Sequence, residues 1–539
     1  MVAGILLVTA ILPSAMPCAR QKSSWAKASA ASAEPRARGG ADVARFRARA
    51  RAALAEVQAQ KTYWGVVVAD QDTGAILYEL NADHFFTPAS NAKIFTTALA
   101  LASLPPTFRF RTTLESEGVI GADGRLAGDL RFVGRGDPDL SNRKFPYAGK
   151  VEHDGPVERV LGEMVEEAVA KGLKEVDGDL VADDSYFPYD PYPAGWSVGD
   201  LFFTFGAPVS AIAFNDNSIS IDVLPGASAG EPAVITVEPR TAIAGLGHEI
   251  TTGASDAKPD FAVVRRPGTD FLLLRGLIPI GHASVKLDLA MLEPAEMAAR
   301  TLEQLLVERG VRVLGTIRVH HAPPPDTSEA GDLPPLPEMM PANGTPRIVL
   351  VEHLSPPLIE SVRVTNKMSH NLHAELLLRT VAREKTAVGS SNAGLRVEQD
   401  FLRSAGIADG DVVLLDGSGL SGTDLVTPRA VVQLLRYAAQ QPWGRDYIST
   451  FPIAGTDGTL EGRMKGTTAE GLIRAKTGAL EHVRALSGYV TTLRGEHLVF
   501  SIFGNNSTEK GRDATVAMDA IGIAMVETLG AQPPPKQKK

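Results

Sequence analysis

Cysteine is all but absent: Cys18 is the only one in 539 residues, so no disulfide framework can hold this chain together. Large basic clusters are missing too. The net charge is −9 with acidic and basic residues interspersed, which reads as a solvated surface and argues against nucleic acid as a partner. No cluster has metal-ligand spacing. His320 and His321 are adjacent and on a strand would face opposite ways, so neither a metal nor another cofactor is expected. Long apolar runs are limited to one, Val2 to Ala15. It is too short to span a bilayer and fits the apolar core of a signal peptide, although the usual positive start is missing. Ala28-Ser29-Ala30 and Ala31-Ser32-Ala33 offer small-residue cleavage sites, whereas Met16-Pro17 before Cys18 makes a poor lipoprotein site. Residues 1–33 are therefore expected to be a signal peptide. The mature chain is expected in the periplasm or cell envelope, without a membrane span.

What is present has ordinary globular composition, 44% hydrophobic and 22% charged, with length for roughly three domains at ~100–200 residues each. Ala41 to Gln60 has helical spacing. Trp64 to Asp70 and Ala75 to Leu80 are apolar, β-branched runs around a Gln-Asp-Thr-Gly turn, which predicts a hairpin. From about Ser116 to Ala322 short strands predominate: Leu130 to Val133, Leu180 to Ala182, Ala211 to Val223, Ala233 to Val237, Phe261 to Leu274 and Val311 to His320. Helical runs at Val157 to Lys171 and Pro294 to Arg309 interrupt them. This texture predicts one or two inserted, mainly β domains. Eight prolines between Ala322 and Arg347 mark a linker. Helix and strand then alternate again. Glu352 to Ala382 reads as mostly helical, Asp411 to Leu415 and Ile473 to Thr477 as strands, Ala485 to Leu493 and His497 to Gly504 as a hairpin, and Thr515 to Leu529 as a closing helix.

Chemistry first shows at Pro88 to Leu101. Pro88 precedes a helical run, so Ser90 falls near a helix N-terminus, where free backbone N–H groups favour developing negative charge. Lys93 follows one turn later on the same face, placing a hydroxyl beside a partly buried amine. Ser-x-x-Lys also occurs at Ser24, Ser141, Ser255 and Ser507, but only the copy at Ser90 opens a long apolar helix. Two further stretches supply partners. Lys367-Met368-Ser369-His370-Asn371 opens a helix, with Ser369 readable as an N-cap and Asn371 able to point into a cleft. Leu472 to Gly478 is an apolar strand ending in Lys476-Thr477-Gly478. Lys476 and Thr477 can present a charge and a hydroxyl to an anionic group, and Gly478 leaves room for a ligand at the strand edge.

In this order and on helix, helix and strand, the three motifs resemble those of penicillin-binding proteins and serine β-lactamases. His370 stands where Asp is usual in the second motif. The long interval between Ser90 and Ser369 narrows the resemblance to the D-alanyl-D-alanine carboxypeptidase/endopeptidase family, the class C low-molecular-mass penicillin-binding proteins. The flanking words fit as well: Thr87-Pro88-Ala89-Ser90, Thr365-Asn366-Lys367, Asp416-Gly417-Ser418-Gly419-Leu420-Ser421, Ala454-Gly455-Thr456-Asp457-Gly458-Thr459-Leu460 and Ala485-Leu486-Ser487-Gly488-Tyr489-Val490.

The resemblance implies an α+β fold. A β-lactamase/transpeptidase-like catalytic domain is expected from residues 34–115 and 348–530, with the insert at 116–322, the linker at 323–347 and a disordered tail at 531–539. It also implies roles. Ser90 would attack the carbonyl between two D-alanines, with Lys93 accepting its proton after burial and the nearby Lys476 lower its pKa. Ser369 would relay a proton to the leaving amine, and Asn371 would orient substrate and Lys93. Lys476 and Thr477 would hold the terminal carboxylate, and the N–H groups of Ser90 and Ala479 would form the oxyanion hole. Asp190, near Asp183-Asp184-Ser185, lies in a stretch resembling one that helps bind the stem peptide's diamino acid. Peptidoglycan stem peptides and β-lactam antibiotics are the implied partners; the oligomeric state stays open.

Rival readings are a β-lactamase and a non-catalytic peptidoglycan-binding scaffold with a relict site. The long insert opposes the first. The second is opposed by three motifs that all keep their reactive groups. Val412 to Asp416 followed by Gly417-Ser418-Gly419-Leu420-Ser421-Gly422 also fits a dinucleotide fingerprint, but Pro428 is expected to interrupt the required helix and no ribose-binding acid follows an apolar strand.

Overall fold

Alternation of side chains across a strand decides the central sheet. Along Tyr63–Asp70, Val67 and Ala69 enter one core while Trp64, Val66 and Val68 enter another. The same split recurs at Ala485 and Tyr489 against Leu486 and Val490. Both faces are covered, which is why these strands read as continuous apolar runs. The computed structural model describes residues 40–56, 59–265, 271–324, 346–508 and 511–529. The signal-peptide expectation, Cys18, most of the linker and the tail at 531–539 lie outside them.

The central sheet has five antiparallel strands in the order Ile76–Leu80, Tyr63–Asp70, His497–Asn505, Val483–Thr491, Ile473–Leu480. Gly40–Ala55 and Arg512–Thr528 pack on one face. On the other lie Ala92–Ser103, Leu358–Met368, Asn371–Thr386 and Pro428–Ala439. A second, mixed five-stranded sheet runs Ile317–Ala322, Leu180–Pro188, Leu130–Val133, Arg111–Ser116, Ile348–Leu354. With Arg159–Ala170, Pro294–Glu308 and smaller sheets it surrounds one continuous apolar cluster from Leu114 to Val351. The boundaries expected at 115 and 348 thus fall within this sheet. Among the described residues no helix is long and apolar enough to cross a membrane.

Several local expectations are corrected. Ala211 to Val223 is two strands, Ile212–Phe214 and Ser218–Leu224, because Asn215, Asp216 and Asn217 adopt φ of 48°, 53° and 51°. Asn and Asp tolerate that region best among residues with a side chain. Phe261 to Leu274 contains Pro267-Gly268, a turn dipeptide, and divides into Asp260–Arg265 and Leu272–Pro279, paired antiparallel. The helix expected from Glu352 begins as the strand Ile348–Leu354, stops at Pro356-Pro357, and then forms two helices broken at Ser369-His370. Pro428 starts a helix where interruption was expected: it occupies the first turn, where its missing N–H costs nothing, and Thr427 caps it.

Candidate active site

Ser90 lies in a 3-10 turn, Ala89–Asn91, running directly into the helix Ala92–Ser103. Every residue from Ala92 to Leu101 is buried, so the turn has a rigid base. Two glycines let other segments close on it. A Cβ at Gly478 would stand 2.6 Å from the carbonyl oxygen of Pro88, and one at Gly419 would stand 1.9 Å from that of Ala89. The sequence reading assigned Gly478 to ligand approach; here its bare backbone admits the Ser90 turn.

Lys93 is fully buried beneath Ser90. Its Nζ lies 2.9 Å from Ser90 Oγ, 2.6 Å from Asn371 Oδ1 and 2.6 Å from the carbonyl oxygen of Ser418. Burial pulls its pKa down to about 7, against the opposing pull of Asp416, Glu375 and Asp424. Two of those acids do little at neutral pH. Burial lifts Glu375 to about 8 and Asp424 to about 10, so both are largely protonated. Repulsion between Lys93 and Lys476 is mutual, and Lys476 is itself held well below its usual value, first by burial and then by Lys93. An arriving carboxylate would restore the charge of Lys476 while Lys93 stays neutral.

Lys476 Nζ donates to Ser369 Oγ at 2.8 Å, and Thr477 Oγ1 donates to Thr459 Oγ1 at 2.7 Å. Ser369 is not an N-cap. It ends the helix Leu358–Met368 in a left-handed conformation, φ 60°, and hands over through His370 to Asn371. Ser90, Ser369, Asn371 and Ala479 line one cleft of about 330 Å³, together with Asp200, Phe205, Gly419, Leu420, Leu480 and Glu481. Asp190 is placed differently: its carbonyl oxygen accepts from Arg379, and its carboxylate lies 3.9 Å from the same guanidinium.

Sequence reading missed five contributors. Asp200 and Phe205 come from residues 116–322, the stretch expected as an insert, and Phe205 also offers its carbonyl oxygen to Asn371 Nδ2 at 2.8 Å. Ser418 acts through backbone in the loop dismissed as a nucleotide fingerprint. Asp416 shapes that loop by accepting from the N–H groups of Ser418, Gly419 and Ser421 and from Trp196 Nε1 of the insert. The fifth is Asp216, whose carboxylate meets His370 and His373 with ligand atoms within 4.8 Å of one another. That spacing would suit a metal, but Arg143 NH2 already lies 2.6 Å from Asp216 Oδ2, and a divalent ion beside a buried guanidinium is strongly disfavoured.

The arrangement offers a hydroxyl against a neutral-capable amine, a second serine hydrogen-bonded to a second lysine, and a threonine hydroxyl beside that lysine on an edge strand. Known proteins are similar to this chain over most of its length. Residues 47–524 match the model of the D-Ala-D-Ala carboxypeptidase 3 (S13) family. The chain is 34% identical over 481 residues to the D-alanyl-D-alanine carboxypeptidase of Actinomadura sp. (strain R39), covering 87% of this chain and 82% of that protein. It is 28% identical over 445 residues to the D-alanyl-D-alanine carboxypeptidase DacB of Haemophilus influenzae, covering 82% and 85%. The crystal structure of penicillin binding protein 4 (dacB) from H. influenzae superposes with a TM-score of 0.73 at 25% identity, covering 90% of this chain and 99% of that one.

Proposed function

This chain belongs to the D-Ala-D-Ala carboxypeptidase 3 (S13) family, and from that premise we propose how its residues act. It is a serine-type DD-peptidase of peptidoglycan. Ser90 attacks the carbonyl between the two terminal D-alanines of a stem peptide, with neutral Lys93 taking its proton. The observation that carries this reading is Lys93 Nζ at 2.9 Å from Ser90 Oγ, in a buried site that lowers its pKa. Lys476 and Thr477 receive the terminal carboxylate, Ser369 passes a proton to the departing amine, and Asn371 keeps Lys93 and the substrate amide in line. Backbone N–H groups of Ser90 and Ala479 take the oxyanion, a contribution of ~3–4 kcal/mol per donor in such sites. Cleavage of D-alanyl cross-links is the same reaction with a larger leaving group. β-Lactams, which offer the same acyl chemistry without a departing amine, would leave a lasting adduct. Acting on peptidoglycan, the chain would work outside the cytoplasm, in the periplasm or cell envelope.

The test is release of D-alanine from a stem pentapeptide, alongside intact mass after benzylpenicillin. Release together with a stable adduct is expected. A rapidly cleared adduct with continuing drug turnover would favour a β-lactamase, and neither product nor adduct would leave a peptidoglycan-binding scaffold.

Asp200 is the insert acid that faces the cleft, and we assign to it the role that resemblance suggested for Asp190: receiving the amine of the stem's diamino residue. Burial raises its carboxyl, so an arriving cation would be held by a charge-assisted bond in a partly dry site. Asp200→Asn is expected to lower kcat/KM ~10-fold or more for a peptide with a free side-chain amine. The acetylated peptide should be almost unaffected, and Asp190→Ala should not alter the preference. Equal losses on both peptides would remove the assignment.

A further inference from the structure

His370, the middle residue of Ser369-His370-Asn371, is tied to the insert by an ionic cluster that the reaction scheme does not use. Its Nε2 lies 3.4 Å from Asp216 Oδ2, and its ring stands 4.2 Å from that of His373, tilted by 41°. His373 Nε2 is 2.9 Å from Asp216 Oδ1, and Arg143 NH2 is 2.6 Å from Asp216 Oδ2. On the other side of Ser369, the preceding helix is tied down by the same cluster. Ser361 Oγ donates to Asp139 Oδ2 at 2.8 Å, and Asp139 Oδ1 lies 3.8 Å from Arg143 NH1. Asp139, Arg143 and Asp216, all from the insert, therefore hold both helices that meet at Ser369.

Backbone geometry at both ends of this tie is strained. Ser369 is left-handed, and Asp216 is the centre of three consecutive left-handed residues that bear side chains. Ser369 in particular is a residue for which this conformation is uncommon, so it persists only where surrounding contacts hold it. Asn371 is held from the insert as well, through the Phe205 carbonyl, while its Oδ1 faces Lys93. A shift of His370 would carry Ser369 and Asn371 with it, since they are its chain neighbours.

We propose that Asp216 and His370 are positioning residues of the acylation step: the insert's carboxylate fixes the His370 ring and thereby the hydroxyl of Ser369 and the amide of Asn371. The insert then completes the catalytic geometry as well as covering the cleft. This rests on the proposed roles of Ser369 and Asn371. It requires no metal, because Arg143 supplies the cation that the carboxylate and two imidazoles would otherwise attract. Burial opposes charge on Asp216, yet Arg143 and then His370 hold its carboxyl well below the usual range.

Acylation by benzylpenicillin, resolved into a binding constant and an acylation rate constant, tests this on wild type, His370→Ala, Asp216→Ala, the double variant and His370→Gln. Misplacement of about 1 Å costs on the order of 10²-fold in such sites, so each alanine variant should acylate ~10–100-fold more slowly with binding changed less than ~3-fold. The double variant should be no slower than the slower single one, because both remove one tie. His370→Gln, whose amide N–H can reach the place of Nε2, should recover to within ~3-fold of wild type. Should Asp216→Ala not fold, Asp216→Asn takes its place, keeping the turn and removing the charge. Multiplicative losses, a loss confined to binding, or failure of the Gln variant to recover would overturn the proposal. A wild type that forms no adduct would instead overturn the roles of Ser369 and Asn371 on which it rests.

Discussion

Ser90→Ala should form no covalent adduct with benzylpenicillin and should release D-alanine at least ~10⁴-fold more slowly than wild type, a loss of about 5 kcal/mol of transition-state stabilisation. The variant suits the question because little else depends on the hydroxyl. Ser90 Oγ contacts Lys93 Nζ, while the turn around it is set by backbone: Ala89 with φ 48°, and the close approaches allowed by Gly478 and Gly419. Alanine fits that turn, so the cleft should remain shaped and substrate should still bind. Residual turnover would come from binding and oriented dipoles alone. Intact mass and D-alanine release on the same sample separate the outcomes. An adduct that survives in Ser90→Ala would move the nucleophile to Ser369, the other hydroxyl lining the cleft beside a lysine.

How much could be read before the fold was known follows the range of each signal. Ser90 and Lys93 are one helical turn apart, so their meeting is local geometry and legible from spacing. Lys476 and Thr477 follow an apolar run, again a local pattern, although the strand Ile473–Leu480 continues past them instead of ending there. Their convergence with Ser369 and Asn371 was legible only through the order of three motifs and the words around them. The central sheet was readable because its β-branched runs are long. What failed was non-local or depended on a single backbone conformation. Ser369 preceding a helix looks like an N-cap, yet the strained handover from the preceding helix places its hydroxyl on Lys476. Asp190 and Asp200 are both acids in the same loop-rich stretch, and only the packing of the insert turns one toward Arg379 and the other toward the cleft. Ser418 contributes a carbonyl, which no side-chain motif encodes. Asn215-Asp216-Asn217 carried the one usable hint, a run of residues that tolerate φ above zero inside an apolar strand pattern.

Lys93 carries the second large effect, and its sign follows from burial. As proton acceptor it must be neutral, and with its pKa at about 7 it is neutral above that pH and protonated below it. The acidic limb centred near pH 7 should therefore appear in kcat/KM, which reports the free enzyme. kcat should rise through an acidic limb of its own and level off, since a bound carboxylate keeps Lys476 charged in the loaded site. kcat/KM should then fall on the alkaline side, because Lys476 in the free enzyme is lowered chiefly by burial and must be charged to capture substrate. Lys93→Met keeps the apolar stem in its buried site and removes only the amine. It should lower kcat ~10³-fold, about 4 kcal/mol, and abolish the acidic limb. Asn371 Oδ1 and the Ser418 carbonyl would lose a donor, so thermal unfolding of the variant should be followed in parallel; the pH limb is the readout that a packing defect alone would leave in place. A variant that loses activity but retains the limb with its midpoint unchanged would assign the titration, and with it the base, to another group. Glu375 is then the group to examine, one helical turn beyond Asn371 and lifted by burial to about 8.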